Sequence, residues 1–149
     1  MPRKRRAGMP RWLQITVITG LVLLIAAILL VKDQGSSPPL QGMLPEAQLE
    51  VALSTSQPTV VFFHSLTCDP CMRMMEIVEQ VYPEFSSSIA LVDVNVSDTR
   101  NHPLLRQHGI RVIPSLVYYD QTGQSETQYG VIDPLQFRQQ LQTLAGQSR

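Results

Sequence analysis

The chain has 149 residues, of which 12 are basic, 12 are acidic and only two are cysteine. Two cysteines three positions apart exclude a framework of disulfides that close long loops, since such a framework needs several cysteines spread along the chain. All 12 acidic residues follow residue 31, so the part that can fold into a domain is acidic, which argues against a nucleic-acid partner.

The N-terminal region combines basic residues with a long apolar run. Residues 12–31, WLQITVITGLVLLIAAILLV, carry no charge across 20 positions, and five basic residues precede them. A helix of that length rises about 30 Å, which matches the hydrocarbon thickness of a bilayer. The sequence therefore predicts a transmembrane helix at 12–31, with a basic segment at 1–11 that stays in the cytoplasm because positive flanks do so.

A cleavable signal peptide is the alternative interpretation of this run. Such a peptide would have a shorter apolar region and an Ala-x-Ala-like cleavage site. Residues 32–42 read KDQGSSPPLQG instead, and this Gly, Ser and Pro composition without apolar periodicity predicts a linker. We expect a single-pass membrane protein whose domain at 43–149 lies outside the cytoplasm, in the periplasm or an equivalent space.

The first half of the predicted domain contains helix, strand and helix. Pro45 begins a short predicted helix, and residues 59–63 form an apolar, β-branched run that is typical of a buried strand. A longer helix follows the two cysteines and should end near Pro83, because proline cannot continue a regular helix. The residues predicted to share its buried face are Cys71, Met75, Val78 and Tyr82.

The second half adds three strands and two helices. Residues 89–94, 115–120 and 124–129 are predicted strands, the last two joined as a hairpin by the turn DQTG. Residues 101–109 predict a short helix that ends at Gly109, and residues 133–146 predict a closing helix capped by Asp133. Leu141 and Leu144 should face inward. The order β-α-β-α-β-β-α after the first helix predicts an α/β domain with one core.

The two cysteines stand where a strand ends and a helix begins. Free N–H groups and the positive end of the helix dipole favour a thiolate at Cys68, and the thiolate is the form that attacks disulfides. Cys71, one turn later, is placed to resolve the mixed disulfide, and Pro70 suits a first helical turn. This predicts a redox-active pair that needs no bound cofactor, because electrons travel by disulfide exchange. A static disulfide or two inert core cysteines is the alternative.

Residues 60–75 and the segment HGIRVIPS at 108–115 resemble thioredoxin-fold proteins of the membrane-anchored, extracytoplasmic kind. The resemblance covers roughly the last 100 residues and implies a thioredoxin-like fold, with a central mixed sheet flanked by helices, and thiol:disulfide oxidoreductase activity on protein thiols or disulfides. It also implies that Pro114 follows a cis peptide bond and shapes the groove where an extended substrate docks. Ile113 would offer its backbone to that substrate, and Asp69 and Pro70 would complete the substrate-binding set.

Two positions depart from the family pattern. Thr67 stands before the first cysteine where the family commonly has tryptophan, and Phe62 replaces a buried acid that helps to deprotonate the resolving thiol in thioredoxins. Strand alternation puts Phe62 and His64 on one face, so His64 is a candidate proton carrier in place of that acid. The alternative is a packed histidine whose nitrogens bond to backbone or water.

Other functions were weighed against this prediction. The three histidines are spaced unlike common zinc ligands, so the sequence predicts no metal-binding residues. Met72, Met74 and Met75 beside two thiols suggest a copper(I) metallochaperone, although methionines at helical spacing more often fill a core. A non-catalytic module that holds a partner near the membrane is the other alternative.

The expected direction of electron flow is towards the substrate. Asp69 places a negative charge beside Cys68, which disfavours the thiolate and so stabilises the disulfide. Pro70 and Ile113 also resemble the reducing members of the family. We therefore expect a reductase, with a transmembrane electron donor as a further partner.

Overall fold

The structure, a computed structural model, describes Leu21 and residues 42–146. The predicted basic segment, transmembrane helix and linker lie outside these residues, apart from Leu21 and Gly42. No helix within the described residues is both long and apolar enough to cross a bilayer. The chain divides into two units, and every strand and helix named below belongs to the second unit, Leu40–Arg149.

Four strands form one mixed sheet. They are β1 (Thr59–His64), β2 (Ala90–Asn95), β3 (Ser115–Tyr119) and β4 (Ser125–Tyr129). The spatial order is β2-β1-β3-β4, with β2 parallel to β1 and the other two neighbouring pairs antiparallel. Each predicted strand is confirmed to within one residue at either end.

Four helices flank the sheet, namely α1 (Pro45–Ser54), α2 (Asp69–Val81), α3 (His102–Gln107) and α4 (Pro134–Gly146). Local chemistry sets their limits. The Asp133 carboxylate accepts the Gln136 N–H at 2.9 Å and caps α4 as predicted. Gly109 has φ of +61° just after α3, a conformation that glycine adopts at little cost. Pro83 falls in a 3₁₀ turn directly after α2, where the regular helix has stopped.

The two faces of the sheet carry separate apolar clusters. One face is covered by α2 and α4, and its cluster is Val60, Phe62, Met74, Val78, Val81, Ile89, Leu116, Tyr118, Ile132, Phe137, Leu141 and Leu144. The other face is covered by α1 and α3, and its cluster is Leu49, Val61, Phe63, Val92, Val94, Leu104 and Val117. Because both faces are covered, every residue of β1 is buried.

The predicted buried face of α2 is wrong at two positions. The buried residues are Cys71, Met74, Val78 and Val81, whereas Met75 and Tyr82 are only partly buried. Spacings of three and four both fit a 3.6-residue period, so periodicity alone did not separate Met74 from Met75. Tyr82 lies beyond the last α-helical residue, and its hydroxyl donates to the carbonyl of Ile89 at 2.9 Å.

An ion pair joins the end of α2 to α4 on the surface. The Arg138 guanidinium donates to both carboxylate oxygens of Glu84, at 3.1 and 2.6 Å, and it lowers the pKa of that carboxyl. Both partners reach solvent, so the pair contributes little to stability, as exposed ion pairs generally do. The contact between α2 and α4 therefore depends mainly on apolar packing, in which Phe137 is wholly buried.

Candidate active site

Three segments of the chain meet at one edge of the sheet. β1 ends at His64 and continues through residues 65–68 into α2. Because Ser115 pairs with Phe63, Pro114 lies one position further along at the same edge. Tyr129 pairs with Ser115, and the next residue, Gly130, donates its N–H to the Pro114 carbonyl at 2.8 Å. The topology thus places the cysteine segment, the proline segment and the end of β4 side by side.

Cys68 and Cys71 form a disulfide across the first turn of α2, with their Cα atoms 5.2 Å apart. Cys68 is the N-cap residue of the helix, and the Cys71 N–H lies 3.3 Å from its sulfur. When the bond is reduced, that N–H is placed to donate to a Cys68 thiolate, which is the interaction that lowers a thiol pKa at a helix start.

The two sulfurs differ in access to solvent. Cys71 is 0% exposed, whereas Cys68 is partly exposed. A bulky disulfide substrate can therefore reach Cys68 and cannot reach Cys71. The roles of nucleophile for Cys68 and resolving thiol for Cys71 stay predictions.

The peptide bond between Ile113 and Pro114 is cis, as the family resemblance implies. Pro114 is buried and Ile113 is partly buried, so the segment is fixed by packing beside the sheet edge. The Ser115 hydroxyl donates to the Val112 carbonyl at 2.5 Å and closes the turn before β3. The backbone around Ile113 is thus held in one place next to the cysteine segment.

His64 has a partner that the sequence reasoning missed. Its ring is buried and stacks on Phe62, with ring centroids 4.8 Å apart, so the two residues share a face as predicted. Its Nε2 atom is hydrogen-bonded to a carboxylate oxygen of Asp93 on β2, and its Nδ1 atom is buried without a partner among the described residues. The packed-histidine alternative expected backbone or water at these nitrogens, and the observed Nε2 partner is neither.

Thr67 helps to hold the loop that leads to Cys68. Its hydroxyl lies 3.1 Å from the Ser65 hydroxyl, and its N–H donates to the same oxygen at 3.3 Å. Ser65 in turn lies 3.1 Å from the Ser97 hydroxyl, just beyond β2. The residue that replaces the common tryptophan therefore belongs to a hydroxyl network connecting the two loops.

The segments around Cys68 carry exposed apolar side chains that the predicted set of site residues does not include. Asp69 and Pro70 are exposed, as a substrate-binding role requires. Large exposed apolar side chains lie on or next to the three segments, namely Leu66, Met72, Val112, Tyr129 and Val131. The sequence reasoning missed them, although a leucine in a polar loop and a valine before IP were visible signals. Exposed apolar side chains on these segments are candidates for contact with another molecule.

The residues weighed for metal binding are dispersed. Within residues 42–146, no three His, Cys, Asp or Glu side chains come together as a metal site requires. Met72 is exposed and Met74 is buried, so these neighbouring methionines do not share a face. His102 is exposed, whereas His108 contacts the Leu104 carbonyl at 2.8 Å and the Tyr119 hydroxyl at 2.5 Å.

Comparison with known proteins gives a consistent result across sequence and structure. A model of the thioredoxin-like domain family matches residues 45–145. The thioredoxin of Pyropia yezoensis is 29% identical over 80 residues, which cover 54% of this chain and 73% of that protein. The chloroplastic thioredoxin-like protein HCF164 of Arabidopsis thaliana is 30% identical over 113 residues, which cover 75% of this chain but only 41% of that longer protein.

Solved structures agree with this assignment at the level of the fold. Chloroplastic thioredoxin z superposes with a TM-score of 0.58 at 22% identity, covering 67% of this chain and 89% of that structure. Thioredoxin O2 from Arabidopsis thaliana in its oxidised state superposes with a TM-score of 0.56 at 17% identity, with the same two coverages of 67% and 89%.

Proposed function

Because the chain belongs to the thioredoxin-like domain family and is a thiol:disulfide oxidoreductase, we propose that it is a membrane-tethered reductase of protein disulfides outside the cytoplasm. The observation that carries the proposal is the exposure of Cys68 at a helix start beside the buried Cys71. An intact and accessible cysteine pair argues against a non-catalytic assembly module. Among the described residues, no group of three His, Cys, Asp or Glu side chains supports the metallochaperone alternative.

The reaction follows from the unequal access to the two sulfurs. The Cys68 thiolate attacks one sulfur of a client disulfide, forms a mixed disulfide and releases the first client thiolate. Cys71 then attacks the Cys68 sulfur and releases the second client thiolate, so that two electrons have passed to the client. The Cys68–Cys71 disulfide of this structure is the oxidised product of that cycle. No bound cofactor is required.

The client is proposed to dock as an extended chain along Ile113 and Pro114. This segment lies at the edge where β1 leads to Cys68, and the exposed apolar side chains nearby suit apolar residues of the client. Asp69 and Pro70 line the same surface between the two cysteines. The substrate class is therefore a protein with a disulfide in an extended, partly apolar segment.

The proposed direction predicts a reducing potential. Asp69 is exposed beside Cys68, where its negative charge disfavours the thiolate and so favours the disulfide form. We expect the full chain in detergent, equilibrated with thiol redox buffers, to have a reduction potential of about −270 mV, the value for thioredoxin. Asp69→Asn should raise the potential by only ~10–20 mV, since one exposed charge contributes about 0.3–1 kcal/mol. A reduction potential of about −120 mV, typical of a strong oxidant, would exclude the reductase function.

The proposed orientation predicts a labelling pattern. In a Cys68→Ser, Cys71→Ser background, single cysteines are introduced as Ala7→Cys before the apolar run or Ser87→Cys at an exposed position of the domain. A membrane-impermeant maleimide should label Ser87→Cys in intact cells and Ala7→Cys only after lysis, because the basic flank stays in the cytoplasm. The reverse pattern, or protection of both cysteines until lysis, would contradict the orientation.

A further inference from the structure

His64 ends β1, and Cys71 lies in the first turn of α2, the helix that follows. The strand and the helix run in opposite directions, since only residues 65–68 join the end of one to the start of the other. On the face covered by α2 and α4, β1 presents Val60, Phe62 and His64 in that order. The buried residues of α2, read from the end of the helix back to its start, finish with Cys71. The buried residue closest in sequence to the loop on this face is therefore His64 on the strand and Cys71 on the helix.

Asp93 reaches this face from the neighbouring edge strand. It is the register partner of Phe62 in the parallel pair of β1 and β2. Val92 and Val94 on either side of it belong to the opposite face, so strand alternation directs Asp93 towards His64. The side chain of His64 is 4% exposed, whereas that of Asp93 is 63% exposed. The pair thus connects a buried ring to solvent.

The bond to Asp93 determines which nitrogen of His64 carries the proton. An ionised carboxylate only accepts hydrogen bonds, so Nε2 must be the donor and Nδ1 keeps its lone pair in the neutral ring. Nδ1 is buried without a partner among the described residues. A buried acceptor of this kind is costly to leave unpaired, and its presence calls for a function.

We propose that His64 takes the proton of the Cys71 thiol during resolution of the mixed disulfide, and that Asp93 is the positioning residue that holds His64 in the required tautomer. As the Cys71 sulfur bonds to Cys68, the bond from Cys68 to the client sulfur breaks and its electron pair leaves with the client. The Cys71 proton passes to Nδ1, and the resulting imidazolium is stabilised by the Asp93 carboxylate. The ring then returns a proton to solvent or to the client thiolate.

Asp93 is the charged residue that contacts the His64 ring. From β3 and α4 the shared cluster includes Leu116 and Phe137, which do not titrate. Tyr118 of β3 is also in this cluster, but it pairs with Val60 at the other end of β1, and burial raises the pKa of its hydroxyl. From α2 come the cysteine sulfurs and, on its exposed side, Asp69. His64 and Asp93 are thus both neighbours of Phe62, the residue that replaces the acid, and the adjacent strand supplies the carboxylate.

The test separates the two exchange steps of the reduced full chain in detergent. An aromatic disulfide that releases a coloured thiolate reports attack by Cys68 in a first phase and resolution by Cys71 in a second. We expect Asp93→Asn to slow the second phase about tenfold near pH 7 and to leave the first unchanged, because general base catalysis contributes at least that much. The difference between the two proteins should shrink as the pH rises, because hydroxide increasingly removes the thiol proton without help from the ring.

The matched control is Glu79→Gln, the same change at an exposed carboxylate of α2, which should retain the wild-type profile. Asp93 is largely exposed, so its amide variant should fold. An Asp93→Asn profile that overlays the wild type would overturn the proposal, and so would a second phase slowed equally at every pH, which would indicate a structural effect. The inference rests on the proposed roles of the two cysteines, and absence of the first phase in the wild type would refute those roles instead.

Discussion

Cys71→Ser is expected to stop turnover and to leave Cys68 joined to its protein partners by intermolecular disulfides. Cys68 keeps its exposure and its place at the helix start, so attack on client disulfides continues. Resolution is lost because the neighbouring thiol acts at an effective concentration that no free thiol reaches, about 10⁵ M or more for well-oriented groups. Disulfide-linked adducts of the full-length variant should appear on non-reducing gels and disappear on reduction.

The matched control for this trapping experiment is Cys68→Ser. It retains Cys71, which is wholly buried, and should therefore capture almost nothing. Mass spectrometry of the adducts from Cys71→Ser would identify both the client and the donor that re-reduces the protein. If Cys68→Ser captured the same partners in equal amount, Cys71 would be the point of entry and the assignment of roles would be wrong.

Phe137→Ala should cost about 3–5 kcal/mol of unfolding free energy, the usual range for removing a buried aromatic ring. Phe137 is wholly buried where α4 packs with α2 against the sheet, and α4 has no other aromatic residue to fill the space. The measurement is urea unfolding of the oxidised full chain in detergent, followed by tyrosine fluorescence.

Leu135→Ala on the same helix provides the comparison. Leu135 is 61% exposed, so its loss should change the unfolding free energy by less than about 0.5 kcal/mol. Equal costs at the two positions would show that α4 does not pack through Phe137 as described.

The strands were predictable because their signals are local. Residues 59–63 are β-branched and aromatic, and their burial on both faces follows from being the central strand. The cysteine pair was equally local, since a strand end, two thiols and Pro70 stand within a dozen residues. Asp133 and Gly109 mark helix ends by side-chain and backbone chemistry that acts within four residues.

What the sequence did not predict depends on contacts between distant segments. The bond between His64 and Asp93 joins residues 29 positions apart, and it requires the register of a parallel strand pair that no local pattern specifies. The sequence predicted that Leu141 and Leu144 of α4 face inward. It did not predict the burial of Phe137, which depends on how α4 crosses α2. The choice of Met74 over Met75 is likewise set by the orientation of α2 on the sheet.

The position of Asp93 also bears on how the sheet ends. β2 is an edge strand, and edge strands offer unpaired backbone groups to which strands of other molecules can add. A charged side chain on such an edge discourages this addition, because it would have to lose its water in a sheet extended by a second chain. The other edge, β4, reads SETQY and is also polar. The carboxylate beside His64 thus helps to keep the domain from aggregating at high concentration.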